Sequence, residues 1–343
     1  MDNLDWCGID VGSETLVVAL RRAGHNKLLE KNFPNTPAGR QRLRYWLIRP
    51  GQEVRACLES TGTYGRDLAV LLAETPGIEV MVANARAVRK FAEACLERSK
   101  TDEVDARILL YFAMQVGFIP WVPPSETAWH LLGISRRLGD LAEMRAREKN
   151  RLHAGCQTIT TAAVVTRSIE RVIDWINGER DALLDEAEEL IAADPEMSRC
   201  YKRLLTVPGF GRLTAIRLLG ELAVLPAHLG KKQWVALAGL DPVRIQSGKS
   251  DREGSISRKG NRRIRRILFT AVLSLARFEP SAKAFYERLK ERGKTPRQAQ
   301  VALMRKLLHG VWGMLHYDQD FDGTKLFPLP AADSAHPRAC HCR

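Results

Sequence analysis

The sequence is poor in the features that mark membrane, secreted and nucleotide-driven proteins. Its longest apolar run, residues 108 to 122, is broken by Gln115 and Pro120, whereas a bilayer-spanning helix needs about 20 mainly apolar residues. The first residues carry Asp2 and Asp5 rather than a basic, apolar leader, so a soluble, non-exported protein is expected. The seven cysteines are scattered at Cys7, Cys57, Cys95, Cys156, Cys200, Cys340 and Cys342. An odd, unpatterned set without an export signal reads as free thiols in a reducing compartment. Cys340 and Cys342 flank His341, but without a second thiol pair they make a poor zinc site. The eight histidines show no metal-ligand spacing, and there is no Walker loop, no dinucleotide fingerprint and no internal repeat. ATP-driven motors, dinucleotide enzymes and solenoids are thereby disfavoured.

What is present is charge of one sign, placed unevenly. Across 343 residues the formal net charge is +13. Residues 201 to 343 hold 27 Lys and Arg against 11 Asp and Glu, a surplus of 16, while residues 1 to 200 hold 26 against 29. A basic half of this kind faces a polyanion. No basic amphipathic helix with exposed aromatics points to a membrane surface, so nucleic acid is the expected partner. The length implies two or three compact units.

Residues 5 to 122 alternate short apolar runs with helical patterns, the mark of an α/β domain. WCGIDVGSETLVVAL (6 to 20) reads as strand, tight turn at Gly12, strand, with a third strand near Leu28 to Phe33 and a helix opening at Thr36 and Pro37. EVRACLES (53 to 60) and IEVMVAN (78 to 84) supply two more strands, with a helix between them.

Within this domain four acids attract attention. Asp102 and Asp105 stand three apart at the head of a segment whose apolar residues Ile108, Leu109 and Phe112 recur with helical spacing, so both project from one helix face. Taken alone they are best read as first-turn acids favoured by the helix dipole. Asp10 and Glu59, however, end two strands expected at the centre of the sheet, where open α/β sheets gather their ligands. Four carboxylates converging on one sheet edge suit hard divalent cations, and a pair of magnesium ions about 3.5–4 Å apart would stabilise the attacking and leaving oxygens of a phosphodiester.

Residues 123 to 200 form long charged helices, with an apolar stripe through Ile169, Val172, Ile173, Ile176, Leu183, Leu184, Ala187, Leu190 and Ile191. A hairpin packed on its own domain and an intermolecular coiled coil are both consistent with it. Residues 201 to 317 read as a mainly α domain. LLTVPGFGRLTAIRLLGEL carries Gly209 and Gly211 in a helix-hairpin-helix-like turn whose backbone N–H groups suit a DNA phosphate. A Gly- and Ser-rich loop follows, containing Ser247, Lys249 and Arg252, then a basic helix with Arg258, Lys259, Arg262, Arg263, Arg265 and Arg266 around an apolar face of Ile264, Ile267 and Leu268. Cations so crowded, without nearby acids, are expected to meet phosphates. Trp312 is expected in the core of the closing helices, and residues 318 to 343 as a loose tail.

Asp10 in GIDVGS, Glu59 in CLESTGTYG, the KTDEVDAR stretch, VPGFG, and AGLDPVRIQSGKS with SRKGNRRIRR, in this order from about residue 6 to 315, resemble the DEDD transposases of bacterial insertion sequences, also called bridge-RNA recombinases. The resemblance implies a ribonuclease H-like, RuvC-like domain over 1–122, a helical coiled-coil linker over 123–200 and a C-terminal transposase domain over 201–317. It further implies that Asp10, Glu59, Asp102 and Asp105 bind magnesium, with manganese as an alternative, and that Ser247 is the nucleophile forming a phosphoserine link to DNA. The residues alone do not separate Ser247 from Ser250, Ser255 and Ser257. Donor and target double-stranded DNA, a structured non-coding bridge RNA and a dimeric or tetrameric assembly, in which one subunit's tetrad meets another's serine, are the implied partners. The bacterial cytoplasm, at the nucleoid, is the implied location. A junction endonuclease using water, a DNA invertase and a non-catalytic basic binder are the competing readings. Ala85 stands where relatives often have proline, a departure expected to affect only a turn.

Overall fold

The computed structural model describes residues 4–59, 64–97, 101–243, 245–247, 250–252 and 255–328, the side chains of 244–254 excepted. The chain forms two units, one up to Pro123 and one from Pro124 onward.

The first unit is built on strands β1 (Leu4–Val11), β2 (Thr15–Arg21), β3 (Leu28–Pro34), β4 (Glu53–Glu59) and β5 (Ile78–Ala83), with helices α1 (Pro37–Leu47), α2 (Arg66–Ala73), α3 (Ala85–Ala94) and α4 (Asp102–Gln115). The sheet order is β3-β2-β1-β4-β5. The first three strands are antiparallel, and β4 and β5 run parallel to β1. This mixed sheet follows from connection length: Gly12 permits a tight reversal after β1, whereas the parallel returns to β4 and β5 pass through α1 and α2. Cys7, Ile9, Leu16, Val18 and Leu20 fill one face against Leu43 and Leu47 of α1 and Leu68 and Leu72 of α2.

Beneath that face, Asp5 and Arg22 are buried and paired at 2.6 Å. Arg22 also donates to the carbonyls of Trp46 and Leu47, and Asp5 accepts from the Ala23 N–H. Every strong polar group of this pair is therefore satisfied, the condition under which a buried ion pair is tolerated. Ala85 opens α3 with Asn84 as its cap, so the Ala85 departure lies at a helix start. The first helical turn is where proline, with its preset φ and missing N–H, fits without loss.

In the second unit, α5 (Glu126–Cys156) and α6 (Ala163–Ala193) form a long hairpin, followed by α7 (Pro195–Leu205), α8 (Arg212–Leu222), α9 (Lys231–Leu237), a short antiparallel ribbon β6 (Ile245–Ser247) and β7 (Ser250–Arg252), then α10 (Arg262–Phe278), α11 (Pro280–Glu291), α12 (Pro296–Tyr317) and α13 (Gly323–Leu326). Leu131 and Leu138 of α5 and Leu184, Ala187 and Ile191 of α6 share one core with Leu204, Leu219, Leu268 and Leu307. The hairpin's near half is thus part of the C-terminal unit. Its far half leaves Ile159, Val164, Val165, Val172 and Trp175 exposed.

Two tail expectations need correction. Trp312 is only partly buried, donating to the Leu229 carbonyl and stacked on His316. Of the expected loose tail, residues 318 to 327 pack on the unit instead: Asp318 ends α12 in the left-handed region and accepts from Arg199 and Arg203, and Phe327 is fully buried; residues 329 to 343 lie outside the described residues. Burial of an aromatic ring outweighs the polar composition that suggested a loose tail.

Candidate active site and nucleic-acid interface

The position of α4 decides the geometry of the acids. Thr101 caps the helix, accepting from the Val104 N–H. Ala106 and Leu110 are buried against Val17 and Ala19. The contact below is with bare backbone: a Cβ on Gly8 would stand 2.0 Å from the Ala106 carbonyl oxygen and 2.4 Å from the Leu110 nitrogen. Only glycine in mid-strand lets the helix lie this close to the sheet. The signal was readable in principle, since a lone glycine inside an apolar strand marks a close approach, but Gly8 had no role in the sequence reading.

Asp10 and Glu59 each lie one residue beyond Ile9 and Leu58, the last paired positions of the adjacent parallel strands β1 and β4. Asp102 and Asp105 occupy the first turn of α4. All four carboxylates meet electrostatically at Asp10, whose pKa is raised to about 6, first by burial and then by the charges of Asp102, Asp105 and Glu59. Like charges held together in a partly desolvated place oppose further ionisation. Among the described residues, no three His, Cys, Asp or Glu side chains stand close enough to hold a metal ion. The acids therefore share one field without closing into a coordination shell. Their all-oxygen chemistry fits a hard divalent cation, which would relieve this repulsion.

In the second unit, Gly209 has φ +88° and lies against α10, where a Cβ would come 2.4 Å from the Ser274 Cβ. Its role is therefore packing and turn geometry. Gly211 is exposed and precedes α8 without a side-chain cap, leaving the first-turn N–H groups of that helix available. Arg212 is bound instead by Asp185 and Glu188 of α6.

Ser247 ends β6, paired with Ser250 across the ribbon, and Arg252 ends β7 opposite Ile245. Lys249, like the side chains of Ser247 and Arg252, lies outside the described residues. The base of this ribbon is clamped: Val243 donates to the Ser255 carbonyl, Ser257 to both the carbonyl and the carboxylate of Asp241, and Arg258, at φ 53°, to the Gly239 carbonyl. Asn261 donates its backbone N–H to Leu237, caps α10, and reaches Glu221 at 2.6 Å. Glu221 is 1% exposed. It was missed in the sequence, where an acid inside LLGELA was the available signal.

The run of cations divides by role. Arg258 and Lys259 belong to the clamp. Arg265 donates to the carbonyls of Ala238 and Gly260, and its burial lowers its pKa. Arg266 pairs with Glu143 of α5, an acid 123 residues away. The expectation of cations without nearby acids thus fails at Arg266, because the acid arrives through tertiary packing. Arg262 is exposed and Arg263 half-buried, and among the described residues neither side chain has an ion-pair partner.

No described helix is long and apolar enough to cross a membrane. Residues 7–160 match the DEDD transposase family model of IS110, and residues 201–287 match the model described as the transposase IS116/IS110/IS902 family. The pilin gene-inverting protein of Moraxella bovis is 26% identical over 92% of this chain and 97% of its own length. The transposase for insertion sequence element IS1328 of Yersinia enterocolitica is 24% identical, over 78% of this chain and 83% of its own. The insertion element IS900 uncharacterized 42 kDa protein of Mycobacterium paratuberculosis is 30% identical, over 45% and 38% respectively. With both family matches falling in the order of the motifs, and relatives aligned almost end to end, this chain belongs to the IS110/IS116/IS902 family of insertion-sequence transposases and is a DNA transposase/recombinase enzyme.

Proposed function

We propose that the protein cleaves and rejoins DNA strands through Ser247, assisted by the carboxylates Asp10, Glu59, Asp102 and Asp105. The observation that carries this reading is the convergence of the four acids on the end of β1, expressed in the raised pKa of Asp10. The strand order and the placement of α4 support a ribonuclease H-like fold for residues 1–122. Asp10, Glu59, Asp102 and Asp105 would hold magnesium, or manganese, and the bound ion would supply electrostatic stabilisation at the phosphodiester. The Ser247 hydroxyl oxygen bonds to phosphorus as the bond to a strand oxygen breaks, and the hydroxyl's proton passes to that departing oxygen, which leaves as a strand-end hydroxyl. Bond number is conserved, so a second strand end can reverse the step and rejoin. The clamp at the ribbon base holds the loop that presents the serine.

Donor and target duplexes are the proposed substrates, bound by the basic residues of the second unit, 201–317. A structured bridge RNA would read sequence by base pairing, leaving backbone and shape to the protein. The exposed apolar far half of the α5–α6 hairpin, within the linker 123–200, favours assembly as a dimer or tetramer, in which one copy's acids serve another's serine. Inversion is a second outcome of the same chemistry, favoured by the relative named as a pilin gene-inverting protein.

The test is strand cleavage with recovery of protein–DNA adducts under denaturing conditions. Wild type should give an adduct that Ser247→Ala abolishes. Cleavage without any adduct would assign the attack to water, and undiminished cleavage by Ser247→Ala would remove the serine from the mechanism.

A further inference from the structure

A small cleft of about 60 Å³ lies among α5, α8 and α10, lined by Arg217, Arg262, Arg263 and Arg266 together with Asp140 and Glu143. Four cations against two acids leave it positive. Glu143 is already engaged by Arg266. The other three arginines have no ion-pair or hydrogen-bond partner for their side chains among the described residues, and the Nε of Arg217 is buried without one. A guanidinium carries five donors and no acceptor, so a buried, unmatched one is costly unless an anion meets it.

The position of Arg217 is built by packing. Its helix crosses α5 closely, where Ser135 donates to the Arg217 carbonyl at 2.8 Å. Its guanidinium lies over Gly139, whose Cβ would come 3.1 Å from Nη2. Any larger residue at 139 would press on the guanidinium. Glu221 accepts from Asn261 and lies 3.5 Å from Arg136; burial, the largest effect, and the charge of Arg263 disfavour the cationic form of Arg217, against the opposing charges of Glu221 and Asp140. An anion between these two arginines removes both penalties.

We propose that Arg217, Arg262 and Arg263 form a seat for one backbone phosphodiester of a nucleic acid. This rests on the reading of the second unit as nucleic-acid-binding, and it adds Arg217, a residue of the mainly apolar middle of α8, to the interface. The cleft admits a single phosphate rather than a base, so the contact positions the strand and reads no sequence. Because Asn261 caps α10 one residue before Arg262, a phosphate held here also anchors the helix that follows the serine ribbon.

The experiment measures binding of the full chain to a fluorescent DNA duplex and to a folded RNA hairpin, by anisotropy across a salt series. Arg217→Gln should reduce the slope of log K against log salt by about one, and weaken binding about tenfold at 0.1 M salt, on whichever nucleic acid supplies the phosphate. Arg217→Lys should retain most of the slope. Arg263→Gln, at a less buried position, provides the same reading should Arg217→Gln fail to fold. An unchanged slope on both probes, with wild type binding normally, overturns the seat alone. An equal loss for Arg171→Gln, exposed on α6, reduces the effect to general charge and also overturns it. Wild type without salt-dependent binding to either probe overturns the nucleic-acid reading beneath it.

Discussion

Replacing Gly8 by alanine tests whether helix α4 is seated directly on the sheet. The added Cβ would stand 2.0 Å from the Ala106 carbonyl oxygen, where ordinary contact begins at 3.4 Å, so helix and strand must separate by about 1.4 Å. Both neighbouring atoms are backbone, and no side chain can swing aside to absorb the change. Overpacking of this kind costs about 1–3 kcal/mol. In a unit of about 120 residues, at roughly 4 °C per kcal/mol, the unfolding midpoint should fall by about 4–12 °C. The functional effect is separable, because the displaced helix takes Asp102 and Asp105 with it. The charges of Asp102 and Asp105 then act on Asp10 from farther away, so its pKa should fall below about 6, while burial, the largest cause of the shift, keeps it above the ordinary carboxylate value. Carboxyl carbon NMR on aspartate-labelled protein reads this titration, alongside thermal unfolding and strand cleavage. A Gly8→Ala protein that melts with wild type and retains Asp10 near 6 would refute the seating of α4 on β1.

Three further outcomes follow from the same geometry. Since Asp10 is harder to ionise folded than unfolded, the stability contributed by its protonated form is full below about pH 3.8 and is lost as pH rises through about 6. In metal-free buffer, Asp10→Asn should therefore melt above wild type at pH 8, with the gap closing toward pH 4; a gap that widens in acid would contradict this. Asp5→Ala leaves Arg22 buried and unpaired, and should cost about 3–5 kcal/mol in urea titration, so a loss under 1 kcal/mol would show the site to be hydrated. Arg265→Met removes a donor to two carbonyls and should cost about 1–3 kcal/mol, whereas Arg262→Gln should leave the midpoint nearly unchanged and weaken DNA binding; the reverse pattern would overturn the division between structural and binding arginines.

Much of the architecture was legible because it is local. Strand alternation, the Gly12 turn and the Thr36 and Pro37 helix start all depend on residues within a few positions of one another, and the sequence carries them directly. It also placed Asp10 and Glu59 at strand ends, where pattern and chain reversal coincide. The site was legible as a set of residue types, but not as a spatial arrangement. Nothing in periodicity states that α4 rests on Gly8, that Glu143 meets Arg266, or that Phe327 packs into the core, because each contact joins residues distant in the chain.

The sequence by itself determined the strands and helices of the first unit, where the acids lie along them, and that one half of the chain is basic; the ribbon of β6 and β7, read there as a loop, was decided by pairing across it. Only the tertiary structure decided that three of the acids raise the pKa of the fourth, that Arg265 serves the fold while Arg262 faces outward, and that Arg217 belongs with the charges of α10. The physical reason is range. Hydrogen-bonded turns and apolar periodicity are satisfied within a segment, whereas desolvation and Coulomb interaction depend on which segments packing brings within a few ångströms.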